Sequence, residues 1–242
     1  MDLFIHRIEE ALGVAEVPPA PPANFRHHES DPKETLRKGF TQCQNCFRSR
    51  AEGATLSRCG ACRVDWYCSK ECQKAAWPVH KVRCKINQQA HSSDDGQAER
   101  LKILRDFTQK HRPTIAEAGL RALELCVDTS RAERDVLAIY LKARPKATRV
   151  ETQFYAIGAD ILPLDGFPEE KHDEMRSQLK YAADMNRKHG ALGAMFVMLM
   201  CVDERISNIA PVGFSQDVLD EMYPGQPWKE WLITRMNEGI VS

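Results

Sequence analysis

Apolar and polar positions follow several different periods along the 242-residue chain. Leu3, Phe4, Ile8, Ala11 and Leu12 recur at helical spacing, which predicts a short amphipathic helix in residues 1–14. Pro18, Pro19, Pro21 and Pro22 then form a tract that cannot continue a helix and reads as an extended, polyproline II-like spacer. Together these make residues 1–37 an N-terminal segment plus linker. Between 38 and 87 apolar residues are sparse: Phe47, Leu56, Val64, Trp66, Tyr67, Trp77, Val79 and Val82. Residues 63–67 (RVDWY) are β-prone. Residues 69–76 read as a short helix, with Ser69 near its N-cap and Glu71 in the first turn. Residues 88–96 (QQAHSSDDG) are polar and predict a linker.

A longer-range pattern starts at 97. Leu101, Leu104, Arg105 and Thr108 lie on roughly one helical face. Ile115, Ala118, Ala122 and Leu125 form a second one, with Pro113 near its start and Gly119 a soft spot. Cys126 ends that run and reads as a buried apolar side chain. Residues 136–143 (VLAIYLKA) are strand-like, and 149–164 are β-prone with Gly158 marking a bulge. Residues 168–189 predict a helix carrying Met175, Leu179, Ala182 and Asn186 on one side, ended by Gly190. The nearly continuous apolar run 194–202 predicts a central strand buried on both faces. Two short helices, 215–222 and 228–238, close the chain. Residues 97–242 therefore read as an α+β domain.

Composition narrows the function classes. Hydrophobic residues are 43% and charged residues 28%, with a formal net charge of zero, so a globally basic nucleic-acid binder is not expected. The longest apolar run, about a dozen residues, is shorter than the roughly 20 of a membrane helix. Charged residues interrupt the first 14, so no secretory leader is expected there and the expected compartment is the cytosol or nucleus. In that reducing setting, nine cysteines ask for an explanation other than disulfides.

Seven of the nine sit between Cys43 and Cys84. They form the pairs Cys43/Cys46, Cys59/Cys62, Cys68/Cys72 and His80/Cys84, each separated by two or three residues. Such spacing lets two side chains of one turn or helix face reach one tetrahedral metal, and thiolate-rich closed shells favour zinc. Eight ligands make two four-coordinate sites with no open position, so the metals read as structural. The spacing by itself allows either a sequential or an interleaved pairing of the four pairs. A segment with so few apolar residues cannot offset its chain entropy by burial alone, so metal binding must supply folding energy. Within 38–84 nine basic residues, Arg83 among them, face three acidic ones, an excess of +6. Two zinc ions against seven thiolates reduce this to +3, so much of the excess offsets metal-site charge.

The full set of Cys43-Gln-Asn-Cys46, Cys59-Gly-Ala-Cys62, Tyr67-Cys68-Ser-Lys-Glu-Cys72-Gln73, Trp77, His80 and Cys84 resembles a MYND-type zinc finger. The resemblance covers 42 of 242 residues. It implies a zinc-stabilised cross-brace: Cys43, Cys46, Cys68 and Cys72 on one zinc, Cys59, Cys62, His80 and Cys84 on the other. It also implies a protein-interaction module, an adaptor or transcription-related recruiter. In the MYND fingers that bind proline-containing peptides, the extended ligand lies beside the short strand, and Gln73 and Trp77 occupy the matching groove positions. Segments 208–214 and 228–241 are similar to fungal MYND-containing proteins of unassigned function.

MYND fingers also occur within SET-domain lysine methyltransferases. Those carry a Gly-x-Gly loop before the finger and an Asn-His dipeptide after it, and this sequence has neither. Dinucleotide, P-loop, nucleophile-elbow and zincin motifs are likewise missing. No catalytic residues are expected. The alternatives are an enzyme with an unrecognised active site in 97–242, or a DNA-binding regulator.

Overall fold

The computed structural model describes residues 16–92 and 96–242. The amphipathic helix expected in residues 1–14 lies outside the described residues, as do the side chains of Val82 and Arg83. The described chain runs α1 (Thr35–Phe40), β1 (Ser57–Arg58), β2 (Trp66–Tyr67), α2 (Lys70–Ser92), α3 (Gln97–Lys110), α4 (Arg112–Ala122), β3 (Asp135–Ala143), β4 (Phe154–Pro163), α5 (Glu169–Arg187), β5 (Gly193–Cys201), β6 (Ile206–Phe214), α6 (Gln216–Asp220) and α7 (Lys229–Asn237).

The C-terminal body is built on a mixed sheet in the order β4-β3-β5-β6. β3 and β5 run parallel, while β4 and β6 add antiparallel at the edges. Alternation sends the two faces of the central strands to different cores. Leu137, Ile139, Leu141, Met195, Val197 and Leu199 pack with Leu104 and Phe107 of α3, Ile115 and Ala118 of α4, and Leu232 and Met236 of α7. Val136, Ala138, Tyr140, Phe196, Met198 and Met200 pack with Met175 and Leu179 of α5. The sheet is thus sandwiched, which is why β5 is apolar throughout and all nine of its residues are buried. The α+β assignment holds.

Several local expectations are met with physical detail. The bulge falls beside Gly158: Tyr140 faces Gly158 while Leu141 faces Ala156, leaving Ile157 as the extra residue. Gly119 is a close approach rather than a weakness. A Cβ there would come 2.6 Å from Met195 Cε and 3.0 Å from its sulfur.

Other elements differ. The helix expected to end at 76 runs on to Ser92, with Pro78 inside it. The range read as a linker, 88–96, therefore begins as helix. β6 has no counterpart in the sequence pattern. It tolerates Pro211 because it is an edge strand, and the outward carbonyl of that residue accepts a bond from Arg112. Cys126 is half-buried rather than buried. The end of the range read as linker, 1–37, is docked on the body: Asp31 and Arg37 donate backbone bonds to the carbonyls of Val241 and Ser242 at 2.9 and 3.0 Å.

A surface depression of about 220 Å³ between α1, α4 and β6 is lined mainly by apolar groups, among them Phe40, Leu120, Val212, Phe214 and Val218, with Asn186 at one side.

Candidate metal centres

Two Cys-x-x-Cys turns set up the first half of the finger. In each, the N–H four residues on returns to the first cysteine's carbonyl: Phe47 to Cys43 at 3.0 Å and Arg63 to Cys59 at 2.9 Å. That closure puts Phe47 and Arg63 in the left-handed region, at φ 59° and 57°. Neither is glycine, so each carries a local cost of about 1 kcal/mol that the turn must offset. The hairpin β1–β2 pairs Ser57 with Tyr67 and Arg58 with Trp66. Helix α2 supplies the remaining ligands. Ser69 caps it, its Oγ accepting the Cys72 N–H at 3.2 Å.

The ligands converge in two interleaved quartets. Cys43, Cys46, Cys68 and Cys72 form one; Cys59, Cys62, His80 and Cys84 form the other. Within each, the ligand atoms lie within 4.8 Å of one another. A tetrahedral zinc with Zn–S bonds of about 2.3 Å has S···S edges of about 3.8 Å and S···N edges of about 3.6 Å. The observed edges match. Cys46–Cys68 and Cys68–Cys72 are both 3.5 Å, and Cys59–Cys84 is 4.0 Å. His80 Nε2 stands 3.4 Å from the Cys59 sulfur and 3.6 Å from that of Cys62. A disulfide would require about 2.05 Å, and all nine cysteines are free. The donor sets thus fit two zinc ions, one with four thiolates and one with three thiolates and an imidazole. Two closed shells leave the metals a structural role.

The surroundings favour the thiolate at one cysteine of each quartet and the thiol at another. Burial pushes the Cys59 thiol up, but the backbone N–H groups of Cys62 and Ala61 and the His80 ring bring it down to about 7. Cys46 is brought to about 7 against the same burial cost by the Arg48 N–H and neighbouring thiols. Burial meanwhile pushes Cys62 up to about 11. Each crowded quartet would keep protons without a cation, which is the competition a metal wins. Among the described residues, three side-chain amides donate to sulfur: Asn45 to Cys72 at 3.5 Å, Gln73 to Cys59 at 3.5 Å and Gln88 to Cys84 at 3.3 Å.

One acidic residue, which the sequence shows only as charge, belongs to the site. Asp65 is buried, and its Oδ2 lies 2.9 Å from His80 Nδ1. It fixes the tautomer that presents Nε2 to the metal position, and its carboxylate holds His80 above the ordinary histidine value. A signal was present. In the β-prone run 63–67, the period of two puts Asp65 on the same side as the buried Tyr67.

Gln73 and Trp77, the residues expected to line a peptide groove, behave differently. Trp77 is 41% exposed, with its ring edge-to-face on His80 at 5.9 Å. Gln73 is half-buried and committed in part to the Cys59 sulfur. Trp66 sits against the Arg50 and Arg58 guanidiniums, 4.8 and 4.6 Å from its ring centre.

Comparison with known proteins agrees with this geometry. A family model described as MYND finger matches residues 43–84. A SET and MYND domain-containing protein of Dictyostelium discoideum is 41% identical over 64 residues, 25% of this chain and 12% of that protein. Human N-lysine methyltransferase SMYD2 is 46% identical over 50 residues, 21% of this chain and 11% of the enzyme. SET domain-containing protein 14 of Caenorhabditis elegans is 54% identical over 43 residues, 18% of this chain and 9% of that protein. The chain thus spans about a tenth of the length of these relatives. No solved structure matches it. Residues 43–84 are a MYND-type zinc finger.

Proposed function

We propose that the chain is a zinc-stabilised protein-interaction module whose finger receives an extended, proline-containing segment of a partner protein. The exposure of Trp77 carries this reading. A large aromatic on a short finger is expected to be spent on its own core, yet Trp77 is 41% exposed and the nearby Val79 43%. Gln73 lies one helical turn before Trp77 and on the same side of α2. The hairpin is next to this helix, with Ser57 and Arg58 of β1 both exposed. A strand edge offers main-chain bonds, and an indole face offers a site for a proline ring. The reading extends to a division of labour: residues 38–87 recruit and the body 97–242 carries the finger. Seven ligand thiols also favour a reducing compartment, cytosol or nucleus. The methyltransferase activity in the relatives' names is not carried over, because the similarity lies in the finger.

The test is a titration of the zinc-loaded chain with proline-containing decapeptides, followed by amide chemical shifts. Shifts concentrated at 57–58, 66–67 and 70–77 are expected, together with at least a tenfold loss of affinity for Trp77→Ala at unchanged zinc content. Shifts elsewhere, or a Trp77→Ala variant that binds as tightly, would overturn the reading. A Trp77→Ala variant that loses metal would make Trp77 part of the core instead.

A further inference from the structure

Each quartet has an arginine on its side, but the two come from different parts of the chain. Arg48, two residues after Cys46, reaches the sulfurs of Cys68 and Cys46 from within the finger. On the side of the other quartet, Arg105 of α3 in the body reaches α2 just beyond a ligand. Its Nη2 donates to Asn87 Oδ1 at 2.6 Å, and Asn87 is a buried residue of α2 three positions after the ligand Cys84. Burial lowers the Arg105 pKa, and the negative charges of Cys62, Asp65 and Asp106 push it back up. The neighbouring Asp106 makes the complementary contact, 3.5 Å from Arg58 of β1. Helix α3 therefore offers the finger a cation and an anion in succession, and each meets its opposite.

The charge balance shows why the cation is placed there. Three thiolates and the Asp65 carboxylate carry four negative charges, and a zinc ion offsets two of them. All four ligands and Asp65 are buried. Residual charge away from water is costly unless it is paired. The four-thiolate quartet is the more open of the two, with three ligands half-buried. Water can share its excess charge, which the enclosed quartet cannot obtain from solvent to the same degree.

We propose that Arg105 is a positioning residue for the His80-containing zinc site, so that the affinity of this one metal depends on docking of the finger against the body. The test uses the full chain loaded with zinc, or with cadmium-113 where the sites must be told apart. Metal is withdrawn by a competing chelator from the native protein and from Arg105→Gln and Arg105→Lys. In Arg105→Gln the metal bound by His80 should be held about tenfold more weakly, the size of effect typical of groups supporting a ligand. The four-thiolate metal should change less than twofold. Arg105→Lys keeps the charge and should recover most of the loss.

Unchanged affinity at both sites in Arg105→Gln would overturn the proposal. So would equal loss at both sites, or glutamine and lysine variants that are equally impaired, since shape rather than charge would then be responsible. Should Arg105→Gln fail to fold, Asn87→Ala releases the same guanidinium without removing it. A selective weakening of the His80 metal is then expected, and no change, or equal weakening of both metals, counts against the role.

Discussion

Replacing Asp65 by asparagine isolates the contribution of a single carboxylate to one zinc. The two side chains have nearly the same shape, and the amide oxygen of Asp65→Asn can still accept a bond from His80 Nδ1. The negative charge 2.9 Å from that nitrogen is lost. A hydrogen bond to a charged acceptor is worth about 1.5–3 kcal/mol and a neutral one about 0.5–1.5. The difference, about 1–1.5 kcal/mol, corresponds to roughly a tenfold change in affinity. It should fall on one metal only, since the ligand that Asp65 orients, His80, belongs to the second quartet. In a chelator competition followed by absorbance, native protein sets the reference midpoint for each zinc ion. The variant should give two steps, one shifted by about tenfold and one unchanged. Because Tyr67 also donates to Asp65 Oδ2, at 3.5 Å, Tyr67→Phe serves as a control and should shift the same step only slightly. A single unshifted step in Asp65→Asn, or an equal shift of both steps, would refute the carboxylate–histidine–metal reasoning.

Two further predictions concern the body. His111 is fully buried, with Nε2 donating to the Glu151 carbonyl at 2.9 Å, and burial lowers its pKa to about 4 from the usual 6.5. Because the folded value is depressed, the stabilisation is complete above pH 6.5 and drains away as the pH falls toward 4, by about 3 kcal/mol in all. Urea unfolding of native protein and His111→Gln at matched pH should show this slope in the native chain only, and parallel slopes would count against it; the comparison cancels losses from the finger. Asn237 closes the β4 edge by accepting from the Ala156 N–H at 2.6 Å and donating to its carbonyl at 3.0 Å. Asn237→Ala leaves both groups of a buried residue unpaired and should cost about 2 kcal/mol in urea unfolding; a loss below about 0.5 kcal/mol would mean that water replaces the amide.

The metal ligands were legible because their spacing is itself the geometry: two cysteines in one tight turn must present both sulfurs to one point. The interleaving was not, since pairing 43 and 46 with 68 and 72 depends on where the hairpin and α2 place distant residues. Spacing supplied only the candidates, and family resemblance supplied the order. Gln88 escaped because an amide looks like surface until its neighbours are known, and Asp65 showed only through its alternation with Tyr67. In the body, β5 and α5 are legible from uniform burial and helical periodicity respectively. β6 was hidden by Asn208, Pro211 and Gly213, which an edge strand accepts and a central strand would not. Helix α2 reads too short in the sequence because Pro78 looks like a stop. It removes one N–H bond inside the helix, but ligands on both sides of it, Cys72 before and His80 and Cys84 after, hold the segment to the metal positions.

Two metals cross-brace the finger, and Asp65 orients a ligand of only one of them. Proton–cadmium correlation spectra of the cadmium-113-loaded chain test the pairing directly. Two cadmium resonances are predicted. One should couple to the β-protons of Cys43, Cys46, Cys68 and Cys72, and the other to those of Cys59, Cys62 and Cys84 and to the ring of His80. A resonance that couples to both Cys46 and Cys59 would mean sequential pairing and would contradict the structure of the site.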